Sequence, residues 1–296
     1  MSKVHQIVTD KVLEMIKNGV APWKRPWKVG AGKQRSIDMI GKGTYYNGIN
    51  QFMLSMTASM NGWSNVWMTF NMIKARNGTI KEDQRKNGTC AYFYKMLQRE
   101  NQVTGDLENS HPMFRFFLVY NLDQVDGIIV KGVNDGTVNV PDTLPAPQSI
   151  VDGYQNAPEI RFGGDRACYS PTIDKISMPA LDAFDTVENY YATLFHEMAH
   201  STGHLTRLNR KEIMDPIKFG SHDYSLEELV AELTSVYLCD TCGISNNRTL
   251  ESAAGYLAHW HAALKNDPTM FATAASRAQK AATHILGKVE DVIEED

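Results

Sequence analysis

The sequence predicts an α+β protein built from two domains. Its 296 residues allow about two domains of ordinary size. Apolar residues recur with helical spacing near both ends of the chain, and short segments with the pattern of strands lie between them. Hydrophobic residues make up 43% of the chain and charged residues 22%, which is the balance of a globular protein with a substantial core.

The first half of the chain, residues 1–126, has the pattern of an α+β domain. Helical spacing of apolar residues predicts helices at 2–18, 50–60 and 69–75, and an Asn-Gly pair follows each of them closely. Residues 21–44, which contain prolines, glycines and lysines, are predicted to be a loop. Alternating apolar residues predict strands at 89–97 and 114–121, joined by a polar hairpin loop at 98–111.

The second half, residues 151–296, is predicted to be mainly helical with a small sheet. A segment with several glycines and prolines, residues 127–150, precedes it and is interpreted as a linker. Two short strands are predicted at 167–170 and 175–178. Four helices are predicted after them, at about 186–201, 225–240, 249–265 and 270–287.

The two halves of the chain carry net charges of opposite sign. Residues 1–126 hold 17 Lys and Arg against 10 Asp and Glu, whereas residues 127–296 hold 13 against 24, so that the net charges are +7 and −11. A basic half beside an acidic half indicates a segment that binds nucleic acid. Chance variation in surface charge is the alternative.

Aromatic residues cluster with this positive charge. Four of the five tryptophans lie in the first 70 residues. Cations that neutralise phosphates, interleaved with rings that stack on bases, are typical of proteins that bind single-stranded DNA. The candidate DNA-binding residues are Trp23, Lys24, Arg25, Trp27, Lys28, Tyr45, Tyr46, Asn47 and Asn50.

Packing in the core is the alternative for the tryptophans. For Trp23 and Trp27 this alternative stays open, because prolines and cations flank both. For Trp63 and Trp67 the core is favoured, because their spacing of i and i+4 fits one face of a helix.

A metal-binding motif lies in the second half. His196-Glu197-Met198-Ala199-His200 is an H-E-x-x-H sequence on a predicted helix that Asp185 can cap. Residues at i and i+4 share a helix face, so both imidazoles can bind one divalent metal ion, for which zinc is the expectation. Glu197 is then the catalytic residue, because it can take a proton from a water that attacks an amide. Histidines that only form hydrogen bonds are the structural alternative.

The third metal ligand has to come from another helix. The extended zincin motif would place a histidine at position 206, where this chain has Thr206. The helix predicted at 225–240 supplies glutamates instead. Glu228 is favoured as the ligand over Glu232 and Glu227, and Glu232 is the candidate for orienting a histidine from behind. Tyr169, Tyr224 and His222 stay open as donors to a transition-state oxyanion.

Other classes of function find little support. Cys239-x-x-Cys242 has no second cysteine pair at zinc-ribbon spacing, and the four cysteines are interpreted as ordinary thiols in a reducing compartment. No segment has the ~18 consecutive apolar residues of a membrane-spanning helix, and residues 1–10 lack the apolar run of a signal peptide. We therefore expect a cytoplasmic protein with no membrane partner.

Several longer segments of the chain, taken together, match the sequence pattern of one known protein family. In the first half they are 23–27, 45–50 (Tyr-Tyr-Asn-Gly-Ile-Asn), 67–71 and 120–125, and in the second half they are 174–179, 190–204, 207–208, 227–233 and 278–281. In this combination the chain resembles the plasmid-borne antirestriction proteins of the ArdC type. The N-terminal half of that family also occurs in the TraC primases of conjugative plasmids.

The resemblance implies a single-stranded-DNA-binding domain fused to a zincin-like metallopeptidase domain. It also implies a role in conjugation, in which the protein protects incoming plasmid DNA from restriction in the recipient and could itself be transferred there. The partners would be single-stranded DNA and a host protein substrate of unknown identity. The alternative is a pure DNA-binding antirestriction protein whose metal site is structural or non-proteolytic. A nuclease is disfavoured, because nucleases usually gather several carboxylates around Mg²⁺.

Overall fold

The structure, a computed structural model, describes residues 3–19, 21, 23, 37–38, 46, 48–100, 107–130, 145–214, 220–244 and 253–287. The chain forms two compact units. Unit 1 contains Met1–Gln6 and Arg35–Val140, and unit 2 contains Ile7–Gln34 and Pro141–Asp296. The chain begins in unit 1, enters unit 2 at Ile7, returns to unit 1 at Arg35 and enters unit 2 again at Pro141, whereas the sequence predicts domains at 1–126 and 151–296.

Unit 1 is built on a mixed four-stranded sheet. Its elements are β1 (Ile37–Asp38), α2 (Gly48–Asn61), β2 (Val66–Thr69), α3 (Phe70–Ala75), β3 (Thr79–Ile80), β4 (Thr89–Glu100), β5 (Leu107–Asn121) and β6 (Val125–Asp126). The order in the sheet is β1-β2-β5-β4, and β3 pairs separately with β6. The antiparallel pair of β4 and β5 is the longest ladder, with Thr89 opposite Val119 and Glu100 opposite Leu107.

Both faces of this sheet carry apolar cores. Leu54 of α2 packs with Trp67 and Val119 in one cluster. Met68 and Ile73 pack with Leu122 in the other. The two clusters are separate because successive strand residues such as Trp67 and Met68 point to opposite faces.

Unit 2 combines helices with a three-stranded sheet. Its elements are α1 (Lys3–Lys17, which starts in unit 1), α4 (Pro147–Gly153), β7 (Glu159–Phe162), β8 (Cys168–Ser170), β9 (Lys175–Met178), α5 (Val187–Ser201), α6 (Lys211–Met214), α7 (His222–Cys242), α8 (Ala253–Asn266) and α9 (Met270–Ile285). The central strand β9 runs parallel to β7 and antiparallel to β8. The longest helix, α7, packs against both α5 and α9. Alanines on the buried face of α9 allow a close approach.

The predicted α+β class is confirmed, and most helices begin and end within a few residues of their predicted positions. Several details are corrected. The predicted hairpin loop at 98–111 is too long, because β4 continues to Glu100 and β5 begins at Leu107. Polar residues occur in both extensions, and this obscured the strands in the sequence. The sequence does not predict strand β7, because its alternating pattern covers only four residues and three of them are exposed.

Two further corrections concern residues taken for a helix and for a linker. Trp67 is fully buried as predicted, but it lies in strand β2, while Trp63 precedes that strand. The spacing of i and i+4 therefore did not reflect a shared helix face. The predicted linker at 127–150 begins with Ile128 and Val130, which are buried in the core of unit 1, and it ends in helix α4.

Candidate metal centre

Helix α5 carries the H-E-x-x-H motif in its last turns. Thr186, and not the predicted Asp185, caps the helix, since its hydroxyl accepts a hydrogen bond from the amide of Asn189. His196 and Glu197 are buried, and 12% of the side chain of His200 is exposed. In the structure His196 Nε2 and His200 Nε2 lie 3.1 Å apart, so both rings point to the same place.

Helix α7 brings a carboxylate to the same point. One oxygen of Glu228 is 3.6 Å from His196 Nε2, and the other is 3.6 Å from His200 Nε2. One ligand atom from each of the three residues lies within 4.8 Å of the other two. Ser235, two turns further along α7, donates to the carbonyl oxygen of Ala192 at 2.7 Å, and this contact ties α7 to α5.

These distances fit a divalent metal ion. Two nitrogens bound to tetrahedral zinc at about 2.05 Å would stand roughly 3.3 Å apart, close to the observed separation of the histidine nitrogens. Two imidazoles and a carboxylate are a donor set that a catalytic zinc site uses, with a fourth position open for water or substrate. A structural zinc site would instead have four protein ligands, and only three candidate ligands meet here among the described residues.

Glu197 is held beside this centre by the neighbouring strand. The backbone N–H of Tyr169, in β8, donates to Oε2 of Glu197 at 2.8 Å. Because β8 packs against α5, this bond holds the carboxylate next to the motif histidines. Tyr169 therefore contributes through its backbone, a role that the sequence analysis did not predict.

The face of His200 that points away from Glu228 contacts a buried ion pair. Glu227 Oε1 is 3.1 Å from His200 Nδ1, and Arg210 makes two contacts with the same carboxylate, at 2.6 and 2.8 Å. Burial alone would lower the pKa of His200, but the hydrogen bond to Glu227 and the charges of Glu228, Glu227 and Glu197 raise it to about 9. Against the effect of its own burial, the charge and hydrogen bonds of Arg210 lower the pKa of Glu227.

Sequence reasoning missed this role of Glu227 and the presence of Arg210. Glu227 was weighed only as a metal ligand, whereas Glu232 was the candidate for orienting a histidine. Glu232 Oε1 lies 4.0 Å from His196 Nδ1, which is longer than a hydrogen bond. Arg210 lies ten residues beyond the motif, directly before α6, and no periodic pattern connects it with the site.

A second buried arginine orders the region next to β8. Arg207 binds the carboxylate of Asp174, with Nη2 in close contact with Oδ1, and it donates from Nε to the carbonyl oxygen of Ser201 at 2.7 Å. Asp174 in turn accepts from the hydroxyl of Tyr169 at 2.8 Å. The network connects the turn between β8 and β9 with the end of α5.

A cavity of about 300 Å³ opens beside Glu228 and His200. Tyr224 lines it and hydrogen-bonds Glu228; burial, followed by this neighbour, raises the pKa of Tyr224 to about 12. Of the three oxyanion candidates, Tyr224 and Tyr169 therefore lie at the cavity. His222 instead contacts Asp223 and Asp267 at 3.1 and 3.0 Å.

Of the predicted DNA-binding residues, the structure describes Trp23, Tyr46 and Asn50. The ring of Trp23 is fully buried in unit 2, 5.2 Å from the ring of Trp260, and its N–H donates to the hydroxyl of Tyr256 at 2.6 Å. Tyr46 is buried in the core of unit 1. Asn50 binds the backbone of Tyr92 through both ends of its amide.

These contacts correct the prediction for Trp23 and Tyr46, because in this structure neither ring has a face open to a base. For these two residues, the aromatic pattern reflects packing in the core. The remaining candidates, Lys24, Arg25, Trp27, Lys28, Tyr45 and Asn47, lie outside the described residues.

The fold and this site define a zincin-type metallopeptidase domain, and comparison with known proteins agrees. Residues 153–277 match the family model of a zincin-like metallopeptidase. Residues 2–120 match the model of the N-terminal domain of the anti-restriction factor ArdC. The chain therefore combines an ArdC-type N-terminal domain with a zincin-like metallopeptidase domain.

Relatives support this assignment over nearly the full length. The chain is similar to the crystal structure of the antirestriction protein ArdC from plasmid R388, with 29% identity, a TM-score of 0.74, and coverage of 98% of this chain and 100% of that one. That protein has been solved in a metal-free and in a Mn(II)-bound form.

Among curated proteins, y4eC of Sinorhizobium fredii is 28% identical over 97% of this chain and 93% of its own length. Two TraC DNA primases of Escherichia coli are 27% and 29% identical over 98% of this chain. The chain spans only 20% and 28% of the length of these primases. Within the described residues, no helix is long and apolar enough to cross a membrane.

Proposed function

We propose that this protein protects incoming conjugative plasmid DNA from restriction by binding single-stranded DNA and by using a zinc-dependent peptidase site. The observation that carries the enzymatic part is the meeting of His196, His200 and Glu228 beside a separately held Glu197. A site that only stabilised the fold would need a fourth protein ligand, but it would not need a carboxylate fixed next to the ligands.

The ligands we assign are the Nε2 atoms of both histidines and the carboxylate of Glu228. Zinc in such a site supplies Lewis acidity, which makes a water molecule reactive towards an amide carbonyl near neutral pH. The Tyr169 N–H occupies Oε2 of Glu197, and we assign Oε1 as the oxygen that accepts the proton of that water. Tyr224, at the cavity wall, is placed to orient the bound substrate.

The proposal of single-stranded-DNA binding is supported by the distribution of charge and by exposed apolar surface in unit 1. Residues 1–140 hold 18 Lys and Arg against 11 Asp and Glu, whereas residues 141–296 hold 12 against 23. Acidic charge repels phosphate, so DNA is expected to bind the N-terminal half. Half-exposed Phe116 and Leu118 on β5 offer apolar surface in unit 1 where a base could stack.

The test combines two measurements on the full chain. Fluorescence anisotropy with single-stranded and double-stranded oligonucleotides, at two salt concentrations, should show tighter and strongly salt-dependent binding of the single strand. Glu197→Gln should bind the same DNA with unchanged affinity but lose peptide hydrolysis by about 10²- to 10⁴-fold, which a mixed peptide library would reveal through new amino termini.

Protection of plasmid DNA in a restricting recipient then separates the two parts. Lost protection by Glu197→Gln, with DNA binding intact, supports the peptidase. Full protection by this variant would contradict the peptidase and would favour the pure DNA-binding function. Equal affinity for both forms of DNA would contradict the single-strand assignment.

A further inference from the structure

Two arginines follow the motif helix, three residues apart, and each is paired with its own carboxylate. Arg210 pairs with Glu227, and Arg207 pairs with Asp174. Both guanidinium groups are buried, with 7% and 1% of their side-chain surface exposed. Of the two carboxylates, Glu227 is the one that contacts a histidine of the motif.

The position of Arg210 is fixed from several sides. Its Nε and Nη2 donate to the two oxygens of Glu227, in the two-point geometry that is strongest for a guanidinium and a carboxylate. Its Nη1 donates to the hydroxyl of Thr202 at 2.6 Å, and Nη2 also donates to the carbonyl oxygen of Ala199 at 2.9 Å. The arginine therefore joins the end of α5 to Glu227 on α7.

This arrangement determines which ring nitrogen of His200 carries the proton and which offers its lone pair. Because the carboxylate of Glu227 only accepts hydrogen bonds, the proton of the neutral imidazole has to sit on Nδ1. Nε2 then offers its lone pair on the side where His196 and Glu228 lie. The position of Glu227, and with it the orientation of the ring, depends on Arg210.

Arg210 also explains why two adjacent glutamates have different roles. Glu227 and Glu228 are neighbours on α7, and both approach His200 with an oxygen at 3.1 and 3.6 Å. Neutralised by Arg210, Glu227 stays on the Nδ1 side. Without the arginine its buried negative charge would have no partner of comparable strength and would compete for the metal ion.

Gly203 provides independent support for a site built around Arg210. A methyl group at this position would lie 2.7 Å from Cγ1 of Ile213 and 3.1 Å from Nη2 of Arg210. The glycine thus leaves the space that the guanidinium and Ile213 fill. Since φ of Gly203 is not positive, close packing and not backbone conformation calls for glycine here.

We propose that Arg210 is a positioning residue of the metal centre, which acts through Glu227 to orient His200 and to reserve the ligand position for Glu228. The inference rests on the metal site of the proposed function. It goes beyond that function because it assigns the metal affinity of the site partly to a residue that touches no metal ligand.

The experiment measures the affinity of the full chain for Zn²⁺ and Mn²⁺ by competition with a chromophoric chelator. Arg210→Met should weaken binding on the order of 10- to 100-fold, and Arg210→Lys should recover part of it, since a lysine gives one charged contact in place of the two-point pair. The double variant Arg210→Met/Glu227→Gln should bind no more weakly than the weaker single variant, because the two residues act as a unit.

Arg207→Met is the matched control. It removes an equally buried arginine from the same turn together with its ion pair, but it should leave metal affinity within about twofold, since neither Arg207 nor Asp174 has a described contact with His196, His200 or Glu228. Circular dichroism confirms that each variant is folded.

The outcomes separate this inference from the proposed function. Unchanged metal affinity in folded Arg210→Met would overturn the role of Arg210 alone. An equal loss of affinity in Arg207→Met would also overturn it, because metal binding would then follow general stability. A wild-type chain that binds neither ion would overturn the metal site and this inference together.

Discussion

The metal centre and the DNA-binding role of the aromatic segment near the N-terminus are both predicted from residue types in a short stretch of chain. The structure brings the motif histidines together, but it buries a tryptophan of the aromatic segment in the core. His196 and His200 meet at one point with Glu228, and the backbone of Tyr169 holds Glu197. Trp23, from the basic and aromatic segment, is instead packed among Trp260, Phe271 and Tyr256. The difference lies in what each pattern specifies.

The helix itself sets the geometry of a metal-binding motif. Positions i and i+4 share a face whatever surrounds the helix, so two histidines at this spacing can reach one ion. A tryptophan among lysines and prolines contains no such geometry. Its large apolar surface is stabilised equally well by a base or by a core, and only the rest of the fold decides which one is available.

The sharpest test of this contrast is the truncation of Trp23. Because its ring is fully buried against two other aromatic rings, Trp23→Ala should lower the free energy of unfolding by about 3–5 kcal/mol. Urea denaturation measures the change. Trp23→Phe, which keeps most of the apolar volume, should be milder and should bind single-stranded DNA as the wild type does. A folded Trp23→Phe with much weaker DNA binding would restore the stacking role.

Trp27 provides the counterpart in the same segment. The stacking prediction for this residue stands, and Trp27→Ala should weaken single-strand binding by about 1–3 kcal/mol while leaving the midpoint of thermal unfolding unchanged. Lys28→Gln should lower the slope of log affinity against log salt concentration by about one, which corresponds to the loss of one phosphate contact. Anisotropy titrations at several salt concentrations check both. A large loss of stability in Trp27→Ala would place this ring in a core as well.

A smaller effect is expected where backbone packing supports the metal centre. Gly203→Ala should destabilise the fold by about 1–3 kcal/mol, because the new methyl group would press on Ile213 and Arg210. Gly153→Ala is the control, since nothing lies within 4 Å of its added methyl group, and it should be neutral or slightly stabilising. Equal effects of the two substitutions in thermal unfolding would contradict the packing argument.

The smallest effect concerns pH and the pair of His222 and Asp267. Hydrogen bonds to Asp267 and Asp223 raise the pKa of His222 above its usual 6.5. Although partial burial opposes it, the hydrogen bond from His222, followed by those from Thr269, lowers the pKa of Asp267. The contribution of His222 is present in full below pH 6.5 and is lost as pH rises through its raised pKa, whereas that of Asp267 is lost as pH falls through its lowered pKa.

The pair should therefore stabilise the fold most between these two values, and by no more than about 1 kcal/mol because His222 is half exposed. His222→Gln should remove the part of the decline in stability that occurs as pH rises above 6.5. Urea denaturation of both chains between pH 5 and pH 9 measures it, with NMR titration of His222 as the direct check. A pKa at or below 6.5 would contradict the pairing.

The sequence by itself determined the features whose geometry is local. Helical periodicity predicted α2, α5, α7 and α9, and the motif predicted which side chains of α5 face one ion. The glutamate line on α7 led to Glu228, which the structure brings to both histidines. Strands with mixed or polar composition, such as β7 and the outer parts of β4 and β5, were missed because their pattern depends on the neighbouring surface.

Only the tertiary structure decided the features that depend on contacts between distant segments. Trp23 meets Trp260 across 237 positions of sequence, and Arg210 meets Glu227 across 17. Adjacent glutamates differ in role because one faces a buried arginine and the other faces two histidines. No periodicity in the sequence encodes such a choice, because it arises from the free energy of burying each charge beside its particular partner.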